Sequence, residues 1–150
     1  MTAANHALTG TAIGLVIGQP ILALPLALIS HYVLDALPHF ESGQGEHAYT
    51  KKWFHNYLKA EFLVCVLIVA VLFWLQPAYW LLASVCAFVA AAPDLASIKR
   101  FVLQKDGKHY NPGRYARFAS KIQWFEKPIG AVVEVFWAIA MLAVILPIVF

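Results

Sequence analysis

Five apolar runs divide this chain, spanning residues 7–17, 21–37, 58–75, 78–92 and 129–150. A helix rises about 1.5 Å per residue, so roughly 20 residues are needed to cross ~30 Å of hydrocarbon. The third and fifth runs meet that length, the second nearly does, and the first and fourth are short. Gly18-Gln19-Pro20 and Gln76-Pro77 are turn signals that separate successive runs. All five runs therefore read as helices, the first of them rich in Gly and Thr.

Composition closes off the alternatives. Hydrophobic residues make up 61% of the chain and charged residues 13%, against about 25% charged in an ordinary soluble domain. So few charges cannot cover a water-exposed surface, which excludes a soluble globular domain, a disordered chain and a nucleic-acid-binding arm. The expected fold is all-α: a single helical membrane domain over residues 1–150 with about five transmembrane helices. Cys65 and Cys86 lie inside apolar runs and read as packing residues. No Lys or Arg precedes Lys51, so the first run lacks the basic start of a signal peptide and is expected to be retained.

All eleven Lys and Arg fall in two regions. Lys51, Lys52 and Lys59 surround the connection after the second run. Lys99, Arg100, Lys105, Lys108, Arg114, Arg117, Lys121 and Lys127 lie in or beside the long segment 95–128. If all five runs cross, both regions and the N-terminus share one side. The positive-inside rule makes that side cytoplasmic, with the C-terminus outside, in the cell inner membrane. Within the long segment, Tyr115, Phe118, Ile122 and Phe125 recur at helical spacing, with Arg114, Arg117 and Lys121 on other faces. This pattern predicts an amphipathic helix over residues 114–125 on the cytoplasmic face, its basic side against anionic lipid headgroups.

Polar side chains inside membrane helices are costly and mark function by default. His6, His31, Asp35, Asp94 and Glu134, with His39 and Glu61, all fall at the cytoplasmic ends of their runs under this topology. Helical spacing places each of the first five beside small residues: His6 with Gly10 and Gly14, His31 and Asp35 with Ala23 and Ala27, Asp94 beyond Ala83, Ala87 and Ala91, Glu134 between Gly130 and Ala138. Stripes of small residues let helices approach closely, so these polar groups are expected to face one another. His31 and Asp35 stand four apart, on one helical face, a spacing that metal ligands use and that a simple His–Asp hydrogen bond also satisfies. Pro38 disfavours helix at Leu37, which lets His39 fold over the helix end. Asp94 after Pro93 also reads as the N-cap of a following helix. Glu134 also reads as a protonated or interface-seeking carboxyl group. His47, His55 and His109 read as solvated or interfacial.

His6 with Gly10 and Gly14, followed by Ser30-His31-Tyr32-Val33-Leu34-Asp35 and by Pro93-Asp94, resembles the YdjM-like membrane-bound metal-dependent hydrolases. Those proteins combine an H-xxx-G helix, a membrane-embedded S-H-xxx-D helix and a P-D segment. The helical His-xxx-Asp pair is also similar to that of zinc-dependent phospholipase-C-like proteins. The resemblance covers roughly residues 5–40 and the neighbourhood of Asp94. Ala96 stands where the group has a second acidic residue, its H-R-G-x-T-H-S segment is absent, and the order of the elements differs. The resemblance implies His6, His31, Asp35 and Asp94 as ligands of a divalent metal ion, zinc being the expected one.

The leading expectation is a metal-dependent hydrolase acting at the cytoplasmic face on an ester or phosphoester, lipid-linked by its location. Glu134 or His39 would be a supporting group or general base, and Lys99 and Arg100 would neutralise a phosphate. The alternatives are a non-enzymatic binding or structural membrane protein with a buried polar cluster, and a small transporter subunit using Asp35 and Glu134. The absence of polar groups near the outer ends of the runs weighs against a through-pathway.

Overall fold

The computed structural model describes residues 1–40, 49–106, 109–125 and 127–150; His47 lies outside them. Every regular element among these residues is helical: α1 (Ala3–Ile17), α2 (Pro20–Asp35), α3 (Lys52–Leu75), α4 (Trp80–Ala91), α5 (Ile98–Lys105), α6 (Arg114–Ile122) and α7 (Gly130–Val149). Each of the five apolar runs forms a helix.

Length separates these helices. α3 and α7 are long and apolar enough to cross a membrane. So is the fourth run, which the sequence suggests is short. It continues from Trp80 to Lys105 because Pro93 sits in the first turn of a 3-10 segment, Ala92–Ser97, where its missing N–H costs no hydrogen bond. α1 and α2 have 15 and 16 residues, about 22–24 Å at the helical rise and short of the hydrocarbon thickness. Among the described residues, three helices are thus long enough to cross, against the five expected.

α1 is the hub of the bundle and packs against α2, α3, α4 and α7. Residues 5–12 of α1 are all buried, as they must be in a helix surrounded by others. Gly10 and Gly14 make this possible. A Cβ on Gly10 would overlap the Cys86 carbonyl, and one on Gly14 would overlap Ala83. α4 answers with Ala83, Cys86, Ala87 and Ala90, all buried, and α2 adds Ala23 and Ala27. The stripes of small residues therefore are the helix contacts. Gly18 ends α1 in the left-handed region, at φ 63°, where its N–H reaches the Gly14 carbonyl.

Side chains tie the polar end together. Glu61 of α3 accepts the Ala4 N–H at 2.9 Å, a carboxylate on the first turn of α1. Asn5 donates to the Glu134 carbonyl at 3.2 Å, and Trp137 donates to Thr9 at 2.9 Å, joining α1 to α7. The two basic regions meet at this same end: the Tyr49 ring lies 5.2 Å from Phe101 and under the Arg100 guanidinium. His55 lies in α3, half-buried, and donates to the Tyr49 carbonyl, whereas His109 is exposed.

The amphipathic helix forms as α6 but stops at Ile122 rather than reaching Phe125. Gln123 leaves helical geometry, at ψ 50°, and its side chain turns inward to Asp35. Phe118 lies edge-on to Tyr32 at 5.9 Å, so α6 rests on the end of α2.

The α1–α4 contact is the most easily broken. Gly10→Leu is expected to lower stability in detergent by roughly 1–3 kcal/mol, since the added side chain meets backbone that cannot move aside. An unchanged thermal midpoint would show that α1 and α4 are not packed backbone to backbone.

Candidate metal centre

Two helix termini and the 3-10 turn meet around one carboxylate. His6 comes from the start of α1, His31 and Asp35 from the last turns of α2, and Asp94 from the turn after α4. One potential ligand atom from each lies within 4.8 Å of all the others. His6, His31 and Asp35 are buried, and the Asp94 side chain is 33% exposed.

Asp35 is the centre of this group. Its Oδ1 accepts from the Met1 ammonium at 2.6 Å and lies 3.1 Å from His6 Nε2. Its Oδ2 accepts from Gln123 Nε2 at 3.1 Å and lies 3.3 Å from His31 Nε2. His6 Nε2 also faces Asp94 Oδ2 at 4.0 Å. The edge of a tetrahedron of zinc ligands is roughly 3.3 Å, given bonds near 2.0–2.1 Å. The 3.1 and 3.3 Å separations at the two Asp35 oxygens are near that edge, while the whole set spreads to 4.8 Å.

The imidazole of His31 has its tautomer fixed. Its Nδ1 sits 2.8 Å from the Ala90 carbonyl and must donate there, since a carbonyl only accepts. In neutral imidazole this leaves a lone pair on Nε2, aimed at Asp35 Oδ2. Two acceptors face each other unless a proton or a cation lies between them. A histidine whose outer nitrogen donates to a backbone carbonyl and whose inner nitrogen meets a carboxylate is oriented as metal-binding histidines are. The His6 ring stacks on that of His31 at 4.1 Å, and its Nδ1 has no partner among the described residues. Two imidazolium rings stacked this closely would repel. The donor set, two imidazole nitrogens and two carboxylates close together, could hold a metal ion.

Glu134 and His39 lie outside this set. Glu134 Oε1 accepts the Phe40 N–H at 3.1 Å, while His39 is buried and donates from Nδ1 to the Leu37 carbonyl at 2.8 Å. Gly130 packs directly on the His39 backbone, and the Lys127 N–H reaches the His39 carbonyl. Asp94 lies within the 3-10 turn, while the residue preceding α5 is Ser97, so Asp94 is not that helix's N-cap.

A cavity of about 140 Å³ opens onto the cluster, lined by His31, Asp35 and Asp94 on its floor. Ser97 and Arg100 form one wall, and α6 contributes Tyr115 and Ser120, with Gln123 just beyond its end. Arg100 also holds Gln104 and stacks on Tyr49. Lys99 is exposed and lies outside the lining. Sequence reasoning did not find the Ala90 carbonyl or Gln123. The first is a backbone atom and carries no residue signal. The second reads as an ordinary polar residue beside an amphipathic helix.

Comparison with protein-family models, with curated proteins and with solved structures gives no match.

Removing the Asp35 charge is expected to cost more than removing any other carboxylate in the bundle. Asp35→Asn should destabilise the protein by on the order of 3 kcal/mol, because it leaves buried donors facing an amide. Glu61→Gln, which only weakens a helix-end contact, should cost about 1 kcal/mol or less. Denaturant or thermal unfolding of both variants in detergent checks the ranking. Equal effects would show that Asp35 is not the centre of the site.

Proposed function

We propose that this protein is a membrane-embedded, metal-dependent hydrolase whose site opens at the cytoplasmic face and acts on an ester or phosphoester. The observation that carries this reading is the His31 arrangement: Nδ1 committed to the Ala90 carbonyl, Nε2 opposed to a buried carboxylate oxygen. His6, His31, Asp35 and Asp94 would hold the ion, with zinc the ion that best suits mixed imidazole and carboxylate ligands. The resemblance to YdjM-like hydrolases supports the same four residues.

A divalent ion there supplies Lewis acidity toward an ester oxygen and toward water. Asp35 fixes both imidazoles, and Ala90 and Gln123 hold His31 and Asp35 in orientation. Asp94, partly exposed, would be the ligand nearest the cavity, and the proton released as water adds to the ester would pass out to solvent through that opening. The oxygen of water bonds to carbon or phosphorus, the ester C–O or P–O bond breaks, and the alcohol leaves with a proton. Arg100, with the Ser97 hydroxyl, would orient the substrate. Glu134 and His39 act as positioning residues, securing segment 38–40 beside the site. The buried side chains exclude bulk water from the floor of the cavity.

The orientation proposed is the one that basic residues favour: the end bearing the cluster in the cytoplasm and the α3–α4 turn outside, with the basic loops against anionic headgroups. A second reading, a structural cluster that only ties helices together, is favoured by the Met1 ammonium, which already sets a positive charge against Asp35 Oδ1.

Metal analysis of the purified protein separates the two readings. About one zinc or other divalent ion per chain is expected, falling at least tenfold in His31→Ala, as loss of a ligand should cause. Metal-free protein that stays folded after incubation with zinc would leave the structural reading in place. For orientation, a membrane-impermeant maleimide added to intact cells should label Gln76→Cys and not Arg114→Cys, and the reverse pattern would invert the topology.

A further inference from the structure

Beside the polar cavity lies a second, open recess of different character. It has a volume of about 430 Å³ and is lined by Leu28 and Tyr32 of α2, Val89 of α4, and Ala92, Pro93 and Tyr115. Its walls are almost wholly apolar. It faces outward between α2 and α4, where Leu28, Ile29, Val33 and Phe88 are all exposed. A surface of this kind on a membrane helix pair meets acyl chains.

The two recesses are neighbours: Pro93, Ala96 and Tyr115 line both. One side of this shared wall is greasy and opens toward hydrocarbon. The other is polar and ends on His31, Asp35 and Asp94. That division is the division within a lipid molecule. The polar cavity is also small, close to the size of a cavity that holds one benzene ring. It has room for a phosphate group or a similarly compact headgroup. Arg100 supplies a cation and Ser97 a hydroxyl, donors that a phosphate requires.

We propose that the substrate is a membrane phospholipid with a compact phosphomonoester headgroup, which enters sideways between α2 and α4, lays an acyl chain along the Leu28–Val89 groove, and passes its phosphate beside Tyr115 into the cavity. This rests on the metal-centre reading, because without a cation Asp35 and Asp94 would repel a phosphate. The occupant follows from three features together: the lipid-facing mouth, the wall shared with the cavity, and the size and donors of the cavity. Tyr32 and Tyr115, which line the groove, mark the level at which tail gives way to headgroup.

The test uses the full chain, loaded with zinc, in phosphatidylcholine nanodiscs. The probe is lysophosphatidate carrying a photoactivatable diazirine in its acyl chain, and crosslinked residues are mapped by mass spectrometry. Labelling should concentrate on Leu28, Val89 and Ala92 and exceed that on the lipid-facing residues Phe62 and Leu63 of α3. Excess phosphatidate should displace it. Leu28→Trp, a change at an exposed position, should lower groove labelling about tenfold by filling the tail site, with α3 labelling and zinc content unchanged. Val89→Trp is the second variant and should act alike.

Uniform labelling of all lipid-facing helices, or groove labelling insensitive to both tryptophan variants, would overturn the proposal while bound zinc kept the metal reading intact. Displacement by inorganic phosphate as complete as by phosphatidate would remove the tail from recognition and also overturn it. Crosslinks through Leu28 that join two copies of the chain would make the groove a contact between copies instead. If no metal binds at all, the metal reading fails first and the lipid proposal fails with it.

Discussion

Burying a carboxylate among helices is tolerated only when something compensates its charge, and Asp35 imposes that requirement on the whole bundle. A charge taken out of water costs several kcal/mol, which well-placed partners must offset. His6 comes to it from α1, His31 from its own helix, Gln123 from beyond α6, and the Met1 ammonium from the chain's start. These partners belong to segments far apart in sequence. The close approach of α1 and α4 through Gly10 and Gly14, and the buried alanines of α2, are what bring them within reach. Helix packing and site geometry are thus one constraint seen from two sides.

The site then inherits its asymmetry from the same packing. The floor is made by His31 and Asp35 of α2 and by Asp94, with His6 of α1 packed against them. The roof is α6, a short amphipathic helix that rests on Tyr32 through Phe118. Between them Asp94, on a 3-10 turn rather than a regular helix, is the acidic member that keeps access to the cavity. A reactive centre needs both features: ligands held rigidly and one face left open.

Much of this was legible in the residues. The five helices follow from apolar run length, and the convergence of His6, His31, Asp35 and Asp94 follows from small-residue stripes that end in polar groups. Those signals work because close helix packing needs Gly and Ala, and because isolated polar groups are rarely left in apolar surroundings. Other features were not legible. The fourth helix outruns its apolar run because Pro93 starts a 3-10 turn instead of ending the helix. α6 stops at Ile122, and Gln123 beyond it reaches Asp35, a long-range contact that no local pattern encodes. The tautomer of His31 depends on the Ala90 carbonyl, a backbone atom that any residue at that position would supply. Glu134 looked equivalent to Asp94 as a carboxylate near one helix end, yet the Phe40 N–H holds it beside the cluster rather than in it.

The central claim is that the opposed nitrogen and oxygen atoms of His6, His31, Asp35 and Asp94 enclose a cation. X-ray absorption at the zinc edge, on protein purified and loaded with one equivalent of zinc, tests it most directly. The account predicts a first shell of nitrogen and oxygen at roughly 2.0–2.2 Å with the outer-shell scattering of two imidazoles, lost to one imidazole in His31→Ala. Zinc ligated by sulfur or by water alone, or a spectrum unchanged in His31→Ala, would contradict it.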